Sequence, residues 1–430
     1  MAEINAVMIG ASRSGKSSIL ASMYSNMRTK PFTDYFLFET NNSGRDNTSD
    51  LRDMINQMRD MVNPYLSNFV PKMSALTGTA NPTAYHFLVQ SVPVDWNAVN
   101  LTIHDVNGEY CDITHPFFDS QILGLVSKAQ ILIVAVDTPA MMYAKESGQK
   151  ALNTIMNLPN AVQTAVQKLG SALNNPDAFR MVVFVPIKCE YWLHRKKAAD
   201  IVAEVKEVYK NALVEIQRYS KIKAMVLPVE TIGNCEFDHH SETDNSFILL
   251  GGDHFERKYI KEAEDNIKGR PTMRCERIDK QTVRLKNGAY YTLQEDDELL
   301  PVMKRPYHPY CYMNDSTNEN TIIPYAWYCA TDKGGYAPKN CEQLLLHVLD
   351  FATDATIQYN INNMTWWDKF SLRIERALHN IVSFFTDSGP FQDPNQCIKF
   401  KNNINTMHEQ KIIKSDAVWT LRNTAKLNIY

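Results

Sequence analysis

The chain has 430 residues, of which 44% are hydrophobic and 22% charged, with a formal charge of −3. This composition fits a globular protein of two or three domains with a large core and excludes a disordered chain. The charge balance holds no basic excess of the kind that nucleic acid or an acidic membrane attracts.

Eight cysteines at no regular spacing, without a CxxC pair, predict reduced thiols in a cytoplasm rather than a disulfide framework or a zinc site. The apolar run Ile4–Ile9 enters a glycine-rich loop directly, unlike a secretory leader. Ala129–Val136 is too short to cross a bilayer, so no transmembrane segment is expected.

Taken in chain order, the first half alternates strand-like and helical segments, the signature of a mostly parallel sheet covered by helices. Ile4–Ile9 reads as a strand and Ser17–Arg28 as the helix after it. Tyr85–Val92 and Val99–Asp105 read as an antiparallel hairpin turning at Asp95-Trp96-Asn97. Ile131–Asp137 is apolar almost throughout, which predicts a central strand buried on both faces. Leu152–Leu173 follows as a helix, then strand Met181–Ile187, helix Ala198–Tyr219 and strand Ala224–Val229. Residues 234–336 are richer in Asp, Asn, His and Tyr, with a hairpin signal at Asn287-Gly288 between Thr282–Lys286 and Ala289–Leu293. Helix Cys341–Ala355 comes next, then an amphipathic helix over about Trp366–Phe385. The expected division is 1–233 plus 337–360 as a nucleotide domain, 234–336 as an inserted α+β subdomain, and 361–430 as a helical tail.

Gly10-Ala11-Ser12-Arg13-Ser14-Gly15-Lys16-Ser17 matches G-x-x-x-x-G-K-[ST] at every fixed position. The glycines let the backbone wrap closely and turn its N–H groups inward, and the next helix offers its positive end to an anion. Lys16 is placed to reach phosphates and Ser17 to ligate Mg²⁺. A chance strand–turn–helix match is the competing reading; the flanking strand and helix argue against it. Leu101–Asp105 then Val106-Asn107-Gly108 ends a strand in D-x-x-G, where Asp105 can hold a magnesium-bound water and the Gly108 amide can sense a terminal phosphate. Pro186-Ile187-Lys188-Cys189-Glu190 follows a buried strand where a base-reading loop would sit. There a lysine stem can lie on a purine and a carboxylate can accept from guanine. A solvated turn with two ordinary charges explains it equally.

These segments resemble the successive nucleotide motifs of TRAFAC-class P-loop GTPases, Ras-like and translation-factor-like, and more narrowly bacterial double-GTPase and conflict-system proteins. The resemblance covers 1–233 and 340–355. It implies an α/β three-layer sandwich with one antiparallel hairpin strand, bound GTP (ATP as the alternative) and Mg²⁺. The implied activity is a GTP-hydrolysing switch acting on a protein partner, or a nucleotide-binding scaffold with little hydrolysis, or a P-loop ATPase. Gly10 through Ser18 would form the phosphate loop, Asp105 to Gly108 the second switch, and Lys188 with Glu190 the base motif. Thr231-Ile232, before Gly233, would stand where a backbone amide meets the guanine oxygen. A magnesium-binding threonine is expected before the Tyr85 strand, with Thr83, Thr79 and Thr77 as candidates in that order.

Three departures qualify the pattern. Ile187 replaces the asparagine of N-K-x-D, and Glu190 is one methylene longer than aspartate. Glu109 replaces a water-orienting glutamine. Arg13 either brings its guanidinium to the phosphates, acting with Lys16 and Glu109 in catalysis, or faces solvent. Elsewhere Asp238-His239-His240 with Asp253 and His254 reads as polar loop rather than metal site. The Trp366–Phe385 stripe reads as core before partner or membrane contact. The Tyr307/His308/Tyr310 cluster reads as a proline-rich loop.

Overall fold

The computed structural model describes residues 2–12, 14–40, 48–62, 72–73, 83–92, 98–148, 150–171, 179–241, 246–252, 255, 265–267, 270–278, 281–301, 325–330, 335–363 and 394–422. The chain divides into two compact units, one of residues 1–56, 77–233 and 338–430, the other of 57–76 and 234–337.

The first unit is built on one eight-stranded sheet. In chain order its strands are β1 (Ala2–Ile9), β2 (Phe36–Thr40), β3 (Thr83–Ser91), β4 (Ala98–Asp105), β5 (Ile131–Asp137), β6 (Arg180–Ile187), β7 (Ile222–Val226) and β8 (Trp419–Arg422). Across the sheet they run β8-β7-β6-β5-β1-β4-β3-β2. The five central strands β4, β1, β5, β6 and β7 are mutually parallel. Strands β3 and β2 extend one side antiparallel, and β8 closes the other side antiparallel. Every residue of β5 is buried, which is why Ile131–Asp137 carries no polar alternation: both of its faces meet helices. From β1 the chain fills one side of the sheet as far as β4 and then crosses past β1 to β5 on the other side, so the carboxyl end of β1 is the topological switch point, where open α/β sheets hold ligands.

Helix α1 (Lys16–Met27) follows β1 directly. Expected helix Leu152–Leu173 is two helices, Lys150–Met156 and Pro159–Ser171, because Pro159 starts the second where the first has ended. Expected helix Ala198–Tyr219 is likewise split, into Ala198–Val208 and Lys210–Arg218. At the joint the fully buried Tyr209 donates its hydroxyl to the Asn157 carbonyl at 2.8 Å. Helix Cys341–Asn363 is longer than its apolar stripe predicts, and the Trp366–Phe385 segment lies outside the described residues. Helix Pro394–Glu409 and strand β8, neither foreseen in the sequence, both belong to this first unit.

Those two helices are joined by a half-buried ionic cluster. Asp350 Oδ1 accepts from Lys401 Nζ at 3.0 Å, Lys401 also meets Asp354 at 2.7 Å, and His408 Nε2 lies 3.6 Å from Asp350 Oδ2. Burial alone would raise the Asp350 carboxyl, but Lys401, Lys223 and His408 together hold it below the carboxylate range. Beside it, burial lowers the His347 imidazole to about 4; Lys223 and His408 act in the same direction, against Asp350 and the Lys414 backbone. Asn403 of the second helix donates to the Tyr35 carbonyl at 2.9 Å and to Ser91 Oγ at 3.2 Å.

The second unit contains a six-stranded and a three-stranded sheet. The Asn287-Gly288 hairpin joins strands Thr282–Leu285 and Tyr290–Thr292, with Gly288 at φ 85° as its turn requires. The core of this unit gathers Leu249, Phe255, Met273, Val283, Leu285 and Tyr291. Asp238, His239 and His240 lie in strand Cys235–Ser241, paired with Tyr325–Ala330, so the loop expected there is a strand. Asp253, His254 and the 307–310 cluster fall outside the described residues. Among the described residues no cluster of three or more His, Cys, Asp or Glu is disposed to hold a metal. Among them, too, no helix is long and apolar enough to cross a membrane.

Candidate functional site

The loop between β1 and α1 occupies the switch point. Gly15 caps α1 in the left-handed region at φ 101°, a conformation that favours glycine. A Cβ built on Gly10 would stand 2.8 Å from the Ala135 carbonyl of β5, so the loop lies close on the sheet edge. Ala11 and Ser14 are buried and Ser12 is half-buried. The Ser14 hydroxyl has no hydrogen-bond partner among the described residues, a buried polar atom of the kind a bound group satisfies. Lys16 is buried, and its ammonium donates to the carbonyls of Gly10 and Ala11, each at 2.9 Å. The loop is thus folded around its own lysine. Ser18 is buried one turn into α1. Arg13 lies outside the described residues.

The end of β4 meets this loop. Ser17 Oγ donates to Asp105 Oδ2 at 2.5 Å, joining the hydroxyl and the carboxylate that the sequence assigns to magnesium. Thr83 begins β3 directly opposite Asp105 in the antiparallel register, so its side chain shares a face with that carboxylate. Thr77 and Thr79 lie outside the described residues. Gly108 packs flush on the phosphate loop: a Cβ there would fall 2.2 Å from the Ser12 nitrogen and 2.5 Å from the Ala11 carbonyl carbon. Glu109 stands beside it, half-buried in a short 3-10 turn, its N–H donating to Asn107 Oδ1 at 3.0 Å.

The base motif stands at the end of β6, next to the same loop. Ile187 ends β6 at the base-motif segment, and its Cδ1 would be 2.9 Å from a Cβ on Gly15, so apolar contact braces the two loops. Lys188 adopts φ 58°; its stem passes 3.7 Å from that same point, and its ammonium pairs with Asp137 Oδ2 at 2.6 Å. Glu190 is only 1% exposed, not part of a solvated turn. Its Oε1 accepts from the N–H of Ile232 at 2.9 Å and of Gly233 at 3.4 Å. Burial pushes its carboxyl up, the amides of Ile232, Glu190 itself and Gly233 pull it down, and Glu230 pushes it up again; the net direction is upward. Thr231 is buried, and its carbonyl accepts from Ser22 Oγ of α1 at 2.7 Å.

Three residues of the site escaped sequence reasoning. Asp137 caps the helix after β5, accepting from the Ala140 N–H at 3.0 Å while holding Lys188. Its signal was present as an Asp-Thr-Pro helix start, but read only as a strand end. Cys111 is buried near Lys16 and Gly10; burial raises its thiol, while Lys16 and the Gly10 backbone oppose the rise. Nothing local in the sequence marks it. Glu230 is buried, paired with Lys339 at 2.8 Å and hydrogen-bonded to His194 Nε2 at 3.3 Å, contacts that only the fold reveals.

The residues fit a nucleoside triphosphate with magnesium: a lysine-tipped backbone cradle, an unsatisfied buried hydroxyl, and a Ser–Asp pair at the cradle's lip. Among solved structures, the chain is similar to the signal recognition particle receptor SRb-GTP/SRX complex from Chaetomium thermophilum. The identity is 14%, covering 53% of this chain and 94% of that one, with a TM-score of 0.30. It is also similar to the S. cerevisiae Ski7 GTPase-like domain bound to GTP, at 8% identity over 77% and 76% of the two chains with a TM-score of 0.31. These likenesses carry no functional argument. No curated protein matches the sequence. The family model described as Double-GTPase 2 matches residues 7–228, just over half of the chain, from the end of β1 through β7. With the phosphate cradle, the D-x-x-G turn and the base loop on one sheet edge, the chain belongs to the Double-GTPase 2 family of TRAFAC-class P-loop GTPases, a membership that supports GTP binding and, in general terms, hydrolase activity.

Proposed function

We propose that the protein is a GTP-hydrolysing molecular switch that signals to a protein partner. The observation that carries this reading is the direct seating of Gly108 on Ala11–Ser12: a change in what the phosphate loop holds must move the segment that follows the D-x-x-G turn. That segment exposes Ile113 at 47% and Phe117 at 44%, with Phe117 against the Tyr110 and His115 rings. A partner touching it would sense the state of the loop.

In this reading Lys16 and the backbone amides of Gly10 to Ser18 bind the phosphates, and Ser17, Asp105 and Thr83 hold magnesium. The bound ion would supply charge neutralisation on the phosphate oxygens. Lys188 lines the base, Glu190 and Thr231-Ile232 close around it, and Arg13 and Glu109 flank the terminal phosphate. Lys16 is already turned into the cradle by the Gly10 and Ala11 carbonyls, so it orients without a large rearrangement. A scaffold that binds nucleotide and hydrolyses little is the second reading. Glu109 favours it, because a carboxylate offers no donor with which to orient a water.

Titration with GTP and ATP, with and without Mg²⁺, tests the proposal. We expect GTP to bind in a magnesium-dependent manner, ATP to bind more weakly, and Lys16→Ala to lose about a hundredfold or more in affinity. Equal binding by Lys16→Ala would sink the proposal. A single-turnover assay separates switch from scaffold.

A further inference from the structure

A carboxylate that recognises guanine in two places needs both oxygens, one for the ring N1–H and one for the 2-amino group. Glu190 does not have both to give. Its Oε1 already accepts from Ile232 N–H and Gly233 N–H, which fills that oxygen's two acceptor positions. Its Oε2 has no hydrogen-bond partner among the described residues and is buried. The neighbours add no second acceptor. Ile187 is apolar and lies against Gly15, Cys189 Sγ is 3.2 Å from Thr138 Oγ1, and Glu230 Oε2 is held by Lys339 and His194. The longer glutamate side chain thus latches the 231–233 loop and leaves one oxygen for a ligand.

We infer that the base site reads a purine at a single point, the N1–H shared by guanine and hypoxanthine, and does not register the 2-amino group. Adenine, whose N1 is an acceptor, would set a lone pair against Oε2 and be rejected. This rests on the proposed function, since it assumes that a nucleotide base enters between Lys188 and the 231–233 loop.

The test is calorimetric titration of the natural full chain with GDP, inosine diphosphate and ADP, at neutral pH with Mg²⁺; no variant is needed, so folding is not at issue. GDP and inosine diphosphate should bind within about threefold of each other, and ADP about tenfold or more weaker, because only a lost or repelled hydrogen bond to a charged group costs that much. Tighter binding of GDP than of inosine diphosphate by about tenfold would overturn the inference and leave the proposed function standing. ADP binding as tightly as inosine diphosphate would overturn the N1–H reading. No binding by any of the three would overturn the proposed function and this inference with it.

Discussion

A methyl group has no space at Gly108, where it would lie 2.2 Å from the Ser12 nitrogen. Gly108→Ala must therefore push the second-switch turn and the phosphate loop apart. We expect GTP turnover to fall by about two orders of magnitude, with a smaller loss in GDP affinity. Single-turnover rates beside GDP titration read both, and unchanged turnover would break the mechanical link between the two segments. His347 supplies a residue-scale prediction about pH. It is 7% exposed, with its imidazole lowered to about 4, against roughly 6.5 in an unfolded chain. Its folded pKa is depressed, so its contribution to stability is whole above the unfolded pKa. That contribution drains away as pH falls from about 6.5 to about 4, amounting to about 3 kcal/mol in all. Urea midpoints at pH 7 and pH 5 should separate less in His347→Gln than in the natural chain. Asp350 does not disturb this window, because its own lowered carboxyl gives up its contribution only at still lower pH.

Among the elements, those that carry periodicity or a motif were legible in the sequence. Strands β1, β5 and β6 were recognisable from continuous apolar runs, the β3–β4 hairpin from its turn, and the phosphate loop from fixed spacing. Strand β2 and strand β8 were not. Phe36–Thr40 and Trp419–Arg422 are short edge strands of 5 and 4 residues, and an edge strand is fixed by its neighbour's open hydrogen bonds more than by its own pattern. The helix Ala198–Tyr219 was legible as amphipathic but not as broken, since Tyr209 keeps the apolar stripe while its ring enters the core. At the site, residue types at fixed spacing singled out Lys16, Ser17 and Asp105, which the structure gathers at one end of the sheet. Asp137 and Glu230 remained hidden because their partners, Lys188 and Lys339, lie 51 and 109 residues away in sequence. Glu190 shows the remaining ambiguity of a motif: its place in the chain was plain, but whether it met solvent, a base or its own loop depended on tertiary burial.

At the scale of the whole first unit, the polypeptide after residue 394 acts as a strap. Helix Pro394–Glu409 is tied to Tyr35 and Ser91 beside β2 and β3, and β8 covers the opposite edge along β7. Removing residues 394–422 would bare the hydrogen-bonding edge of β7 and uncover the buried face of helix Cys341–Asn363. A bare parallel edge invites association with other chains. We expect such a variant to melt several degrees lower and to elute partly as oligomers in size-exclusion chromatography; a monomer with unchanged melting would refute the strap.

That arrangement also sets an order of events at the ribosome. Strand β7 emerges nearly two hundred residues before the strand that seals it, and the intervening length includes most of the second unit. During that interval the nascent nucleotide unit must persist with one margin open, so its completion is a late, long-range closure. A helper that shields an unpaired strand would have its opportunity then.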